Sequence, residues 1–239
     1  MKRLAVFFLL LMAAKAEANP RLTFVTQEYY PLAFTRDGHM QGSMVDQIRI
    51  ITHEAGVAGS IEIIPWARAY SLALAEDDHC VFGAAHTPKR DALFKWVEPL
   101  DEDIASLVRL SDGAPAPTSP EDAKTRRIGV QRGDFASEIL AAENFTNLDV
   151  STDFETTLRK LDNGRIDMTV MADGMIENAR KQRPKLEKVM PIVRSTFGMA
   201  CNKAVDDEVI ARLNTALGRL IADGRQNQIL DRYGMGNAR

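Results

Sequence analysis

The 239-residue sequence is poor in the features that announce most chemistries. It holds only two cysteines, Cys80 and Cys201, which excludes a thiolate-rich metal centre or a cysteine framework. Its four histidines, His39, His53, His79 and His86, show no paired ligand spacing, so no metal is expected. It has no G-x-S-x-G elbow, P-loop or dinucleotide fingerprint. That removes the usual signs of an acyl hydrolase, a nucleotide hydrolase or a nicotinamide enzyme, and no cofactor is expected. No nucleophile–base pair stands out, and the chain does not read as an enzyme. A formal net charge of only −3 offers nothing to nucleic acid or to an anionic membrane surface.

Long apolar runs are scarce as well, with one exception at the start, MKRLAVFFLLLMAAKAEANP. Lys2 and Arg3 form a basic lead, and Leu4 to Ala14 form an apolar stretch shorter than the roughly 20 residues a spanning helix needs. Ala16-Glu17-Ala18 then offers a small-residue cleavage site. Residues 1–18 therefore read as a cleaved secretory signal peptide. No cysteine follows that could carry a lipid anchor. Cleavage removes three cations (Lys2, Arg3, Lys15) and one anion (Glu17), leaving an exported, periplasmic chain that is more acidic still. An oxidising compartment permits a disulfide between Cys80 and Cys201, although two small buried thiols would fit the spacing equally well.

What is present is rhythm. Leu22–Thr26 reads as a strand, followed by an Asp37-Gly38 turn and a helix from Met44 to Ala55 whose apolar positions are Val45, Ile48, Ile51 and Ala55. Ile61–Ile64 is a second strand, stopped by Pro65; Trp66–Ala75 is a helix and Cys80–Ala85 a third strand. After the Pro-, Ala- and Ser-rich loop Ser111–Lys124 the series repeats. Strands at Arg127–Gln131, Leu148–Val150 and Ile166–Ala172 alternate with helices at Phe135–Glu143, Phe154–Leu161 and Met175–Gln182. A strand at Phe197–Cys201 and helices at Val205–Leu220 and Gln226–Tyr233 close the chain. Two βαβαβ halves in tandem predict an α/β fold of two lobes, each an open sheet flanked by helices. In such sheets ligands bind beyond the carboxyl ends of strands, where Thr87–Arg90, Gly133-Asp134 and Asp173 fall. Thr87-Pro88 there looks like a helix start, yet Lys89 and Arg90 follow at once. Cations suit the positive end of a helix poorly unless an anion joins them.

Several stretches, in their order and spacing, resemble one family. They are YYPLAF (29–34), DGHMQGSMVDQI (37–48), PWARAYSLAL (65–74), TPKRDALFKWVEPL (87–100), RIGVQRGDF (127–135), LDNGRIDMTVMAD (161–173) and LNTALGRLIADGRQNQILDRYG (213–234). The resemblance is to the periplasmic solute-binding proteins for polar amino acids, the bacterial extracellular solute-binding protein family 3. It implies two α/β lobes joined by two crossover strands, the type II fold of periplasmic binding proteins. Lobe one would be 19–103 plus 197–239 and lobe two 104–196, with crossings near Ile104–Leu110 and Ile192–Thr196. It also sets the returning strand antiparallel to the third, which would bring Cys80 against Cys201 and favour the disulfide, with Cα atoms ~4.4–6.8 Å apart.

The resemblance further implies a site. Arg90 would grip a ligand carboxylate bidentately, with Lys89 in solvent. Asp173 would receive an ammonium group, but one extra residue between Asp167 and Asp173 departs from the pattern, and Asp173 could equally cap the helix expected from Met175. Tyr29 or Tyr30 would stack on the ligand or pack in the core, Trp66 would line the cleft, and Arg68 would reach toward it. Ala85 offers only backbone where relatives show hydroxyls. Asp134 and Phe135 stand where relatives show Ser or Thr, and an acid there repels a carboxylate or receives a cation. The function implied is capture of a small polar, carboxylate-bearing solute by a monomer that delivers it to an ABC permease. Alternatives are a sensory binding protein docking to a receptor, or an exported lyase using Asp173, Glu177 or His86 as a general acid.

Overall fold

The computed structural model describes residues 21–236, so the expected signal peptide, residues 1–18, lies outside the described residues. Strand β1 (Arg21–Thr26) leads to a hairpin of β2 (Phe34–Arg36) and β3 (His39–Gln41). Asp37 and Gly38 turn that hairpin with φ of 52° and 75°, the double positive φ that a two-residue turn of this hand demands. Helix α1 (Ser43–Ala55), β4 (Ala58–Ile63), α2 (Trp66–Ala75) and β5 (His79–Ala85) follow. A single turn, α3 (Pro88–Asp91), precedes the long strand β6 (Lys95–Leu110). The second series runs α4 (Pro120–Lys124), β7 (Ile128–Gln131), α5 (Phe135–Ala142), β8 (Leu148–Ser151), α6 (Phe154–Asp162), β9 (Met168–Ala172) and α7 (Asp173–Arg180). A second long strand, β10 (Leu186–Cys201), returns to α8 (Asp207–Ala222) and α9 (Arg225–Arg232).

The strands lie in the order β4-β1-β5-β10-β6-β9-β7-β8. At one end β1, β4 and β5 are mutually parallel, and at the other so are β7, β8 and β9. Between them β6 and β10, each 16 residues long, pair antiparallel from Lys95 opposite Cys201 to Leu110 opposite Leu186. The last residues of β10 border β5, while Ala105–Val108 of β6 border β9. Two helix-flanked α/β lobes thus share one paired ribbon, the architecture expected. The strand expected at Phe197–Cys201 is the end of β10, and the loop 111–124 contains α4, capped by Ser119 and begun by Pro120.

Helical periodicity places the core. Val209, Leu213, Ala216, Leu217 and Leu220 make one stripe of α8, which packs on the Val45, Ile48 and Ile51 stripe of α1. Burying each large aliphatic of these stripes contributes about 1.5–3 kcal/mol relative to leaving it exposed. Cys80 and Cys201 are direct cross-strand partners and form a disulfide. Their Cα atoms are 3.9 Å apart, closer than the expected range and closer than the ~4.5–5.5 Å usual for directly opposed antiparallel residues. Among the described residues no helix is long and apolar enough to cross a membrane, and no three His, Cys, Asp or Glu are grouped to hold a metal.

Candidate functional site

The carboxyl ends of the parallel strands in both lobes face each other across one cleft. Lobe one brings Gln27 and Tyr29 after β1, Met44 at the start of α1, and Trp66 at the start of α2. Lobe two brings Gln131 at the end of β7, Asp134 and Phe135 where α5 begins, and Phe154 where α6 begins. Met171 and Ala172 from β9, Met175 from α7, and Phe197 from β10 complete most of the wall. The space they enclose is about 30 Å³, against the ~300–1,000 Å³ of pockets that hold a drug-sized ligand. The lobes are closed on each other.

Closure has named contacts. Trp66 Nε1 donates to the Gly133 carbonyl at 2.9 Å, and Gln131 donates to the Gln27 side chain at 2.6 Å. Tyr29 meets Phe154 edge to face at 4.7 Å between ring centres, and Phe135 meets Phe197 at 5.4 Å. A second, more open depression of about 250 Å³ shares Tyr29, Phe154, Met171 and Met175 with the inner cavity, so these four side chains form the partition between them.

Asp134 caps α5, accepting from the Phe135 N–H at 2.7 Å. Burial pushes its carboxyl up to about 6, while the Arg90 guanidinium and the Phe135 N–H pull against that rise. Burial also raises the Tyr29 phenol above its ordinary value, helped by the Asp134 and Asp103 carboxylates. Burial is the first cause of both shifts, so the cleft disfavours an uncompensated anion.

Arg90 lies beside this cavity but does not line it. It is fully buried and paired with Glu138 of α5, across the lobe boundary. Thr87, at the N-cap position of α3, makes no capping bond; its hydroxyl donates to Glu138 instead. The anion that Arg90 calls for at this helix start is supplied by the chain itself. Ala85 is buried, and its carbonyl accepts from Arg90 at 3.5 Å.

Of the other expected site residues, Tyr29, Trp66, Asp134 and Phe135 are brought together in the cavity wall. Tyr30 is 41% exposed, meets Phe34 edge to face and lines only the outer depression. Arg68 is exposed on α2 and away from the cavity. Asp173 pairs with Lys188 of β10 outside the cavity. The reason is that α7 begins at Asp173 rather than at Met175, with Ala172 as N-cap, and Asp103 takes over the capping by accepting from the Gly174 N–H at 2.8 Å.

The residues considered as general acids do not meet there either. Glu177 pairs with Arg180 on the surface. His86 stacks on Trp96 and bonds Glu98 and Asp91; burial works against its cation, but those two carboxylates outweigh it and raise the imidazole.

Glu138, Gln27, Gln131, Phe154 and the methionines of the cavity wall carried no separate signal in the sequence. The one pointer to Glu138 was its place four residues after Asp134, on the same face of α5.

Known proteins of similar sequence or shape bear this out at the level of fold. Over 154 residues the chain is 28% identical to the membrane-bound lytic murein transglycosylase F of Aeromonas hydrophila, a match covering 62% of this chain. The chain spans about a third of that relative's length, 31%. An ancestral arginine-binding protein bound to arginine superposes with a TM-score of 0.78 at 21% identity, over 89% of this chain and 97% of that one. A histidine kinase sensor domain similar to periplasmic binding proteins gives 0.79 at 21% identity, over 89% and 95%. The likeness to these solved structures is one of fold. The family model of the bacterial extracellular solute-binding proteins, family 3, matches residues 22–236, and the chain belongs to that family.

Proposed function

We propose that the protein captures a small solute in the cavity between its lobes and delivers it to an ABC permease, acting as an exported, periplasmic monomer. Lobe one in this reading is 19–103 with 197–239, and lobe two is 104–196. The observation that carries the proposal is the enclosed interlobe cavity at the carboxyl ends of both parallel strand groups, closed by side chains contributed from each side. A cavity of about 30 Å³ fits a closed state that must open to load, and opening parts the Trp66–Gly133, Gln131–Gln27 and Arg90–Glu138 contacts between the lobes. The expected carboxylate-bearing solute would reach Arg90 only by displacing Glu138, so the proposal extends to a small solute in the cavity without fixing that carboxylate.

The test is a thermal-shift screen of the mature chain against amino acids, polyamines, dicarboxylates and cyclohexadienyl acids. A true ligand at 100 times its Kd stabilises the folded state by about 2.7 kcal/mol and raises Tm accordingly. If no member of the panel moves Tm, the reading fails. Chemical conversion of the hit, followed by mass spectrometry, would replace binding by catalysis.

A further inference from the structure

The arginine expected to hold a ligand's carboxylate already holds one. Arg90 Nε and one terminal nitrogen donate to Oε1 of Glu138 at 3.2 and 3.0 Å. That terminal nitrogen also donates to the Gly133 carbonyl at 3.0 Å, and the other donates to the Ala85 carbonyl at 3.5 Å. The second oxygen of Glu138 accepts from the Thr87 hydroxyl at 3.2 Å. Tyr70 and Trp66 cover the guanidinium with ring centres 5.1 and 6.0 Å away. All three nitrogens of the fork are thereby engaged within the protein. The cavity wall next to this pair contains two acids, Asp101 and Asp134, and no Lys, Arg or His. The rest is dominated by four methionines and five aromatic rings.

We propose that Glu138 determines specificity: its carboxylate occupies Arg90 in place of a ligand's, and the cleft therefore takes an organic amine with an apolar body and no α-carboxylate. The inference rests on the reading of the interlobe cavity as the solute site. A ligand carboxylate entering this cavity would face two acids, and it would have to evict a half-buried glutamate from its partners. An ammonium group meets the same two acids favourably, along with the π faces of Tyr29 and Trp66. The methionine thioethers and phenyl rings accept an apolar body of varied shape.

Matched pairs isolate the carboxylate: L-phenylalanine against phenethylamine, and L-arginine against agmatine. Calorimetric titrations would compare the mature chain, Glu138→Gln, and Glu138→Gln combined with Arg90→Gln. Glu138→Ala serves as a second variant if the glutamine form melts early. The wild-type chain should bind at least one amine tenfold or more tighter than its amino acid. Glu138→Gln should gain at least tenfold for the amino acid, and the added Arg90→Gln should abolish that gain. If the wild type binds the amino acid as tightly as the amine, or if both Glu138 variants leave amino-acid affinity unchanged, the inference is overturned while solute binding stands. If no protein binds any of the four compounds, the inference and the solute-site reading both fall.

Discussion

Asp134 offers a test of the cleft's electrostatics that needs no ligand. Its carboxyl ionises near 6 in the folded protein, against 3.8 when unconstrained, chiefly because burial disfavours the anion. A raised carboxyl works against folding wherever the group is charged in both states. Above about pH 6 the folded protein carries the whole penalty, which a shift from 3.8 to about 6 sets at about 3 kcal/mol at most. Between those values the folded chain binds a proton the unfolded chain has released, so this contribution to stability improves as pH falls. Below about 4 both states are protonated and the penalty is gone. Asp134→Asn removes the charge and keeps a competent N-cap for α5. The variant should be more stable than wild type at pH 8 by up to about 3 kcal/mol, and the two should converge as pH falls toward 4. Urea unfolding followed by tryptophan fluorescence at several pH values measures the difference directly. A difference that stays flat from pH 4 to pH 8, or a variant less stable at pH 8, would refute the assigned environment.

The Cys80–Cys201 bond closes a separation of 121 residues, so the Cys80→Ala/Cys201→Ala variant should lose up to about 5 kcal/mol, seen as a lower urea midpoint that reductant no longer shifts. Gly59→Ala would place a Cβ 2.3 Å from the Leu22 carbonyl oxygen between β4 and β1, and should destabilise by roughly 1–3 kcal/mol; an unchanged Tm would contradict the register. Trp66→Phe removes the N–H that reaches Gly133, weakening closure by about 0.5–1.5 kcal/mol. Small-angle scattering should then show a larger radius of gyration for the variant than for wild type without ligand.

Local chemistry made most elements readable. Pro65 ends one strand and leaves α2 to run from Trp66 to Ala75, and Asp223-Gly224 separates α8 from α9. The long ribbon was readable only in part. Pro99 and the charged run Asp101–Asp103 interrupt the alternation of β6, and Pro191 does the same in β10. Both strands are held by each other rather than by their own propensity. The cleft divides in the same way. Aromatic residues close to prolines, Tyr29 and Trp66, marked themselves as candidates, whereas Glu138 is an unremarkable helix glutamate until Arg90, 48 positions away, is folded against it. Asp173 shows the converse: its spacing already departed by one residue, and the earlier start of α7 turned it toward Lys188.

The ribbon of β6 and β10 sets the mechanics of the molecule. A ladder paired along most of its length is stiff against bending in its plane and compliant in torsion. Parting the lobes is therefore a twist of a spring, not a swing on slack cords. Its ladder slips between Lys188 and Met190, Pro191 and Val193, and Phe197 and Met199, where torsion is absorbed with the fewest broken bonds. Gly198 lies inside the last of these, and a Cβ there would stand 2.8 Å from that of Glu98, so a bulkier residue would jam that joint. In the proposed reading, the angle of opening is in this way written into two strands that reach the cavity wall only at Asp101 and Phe197.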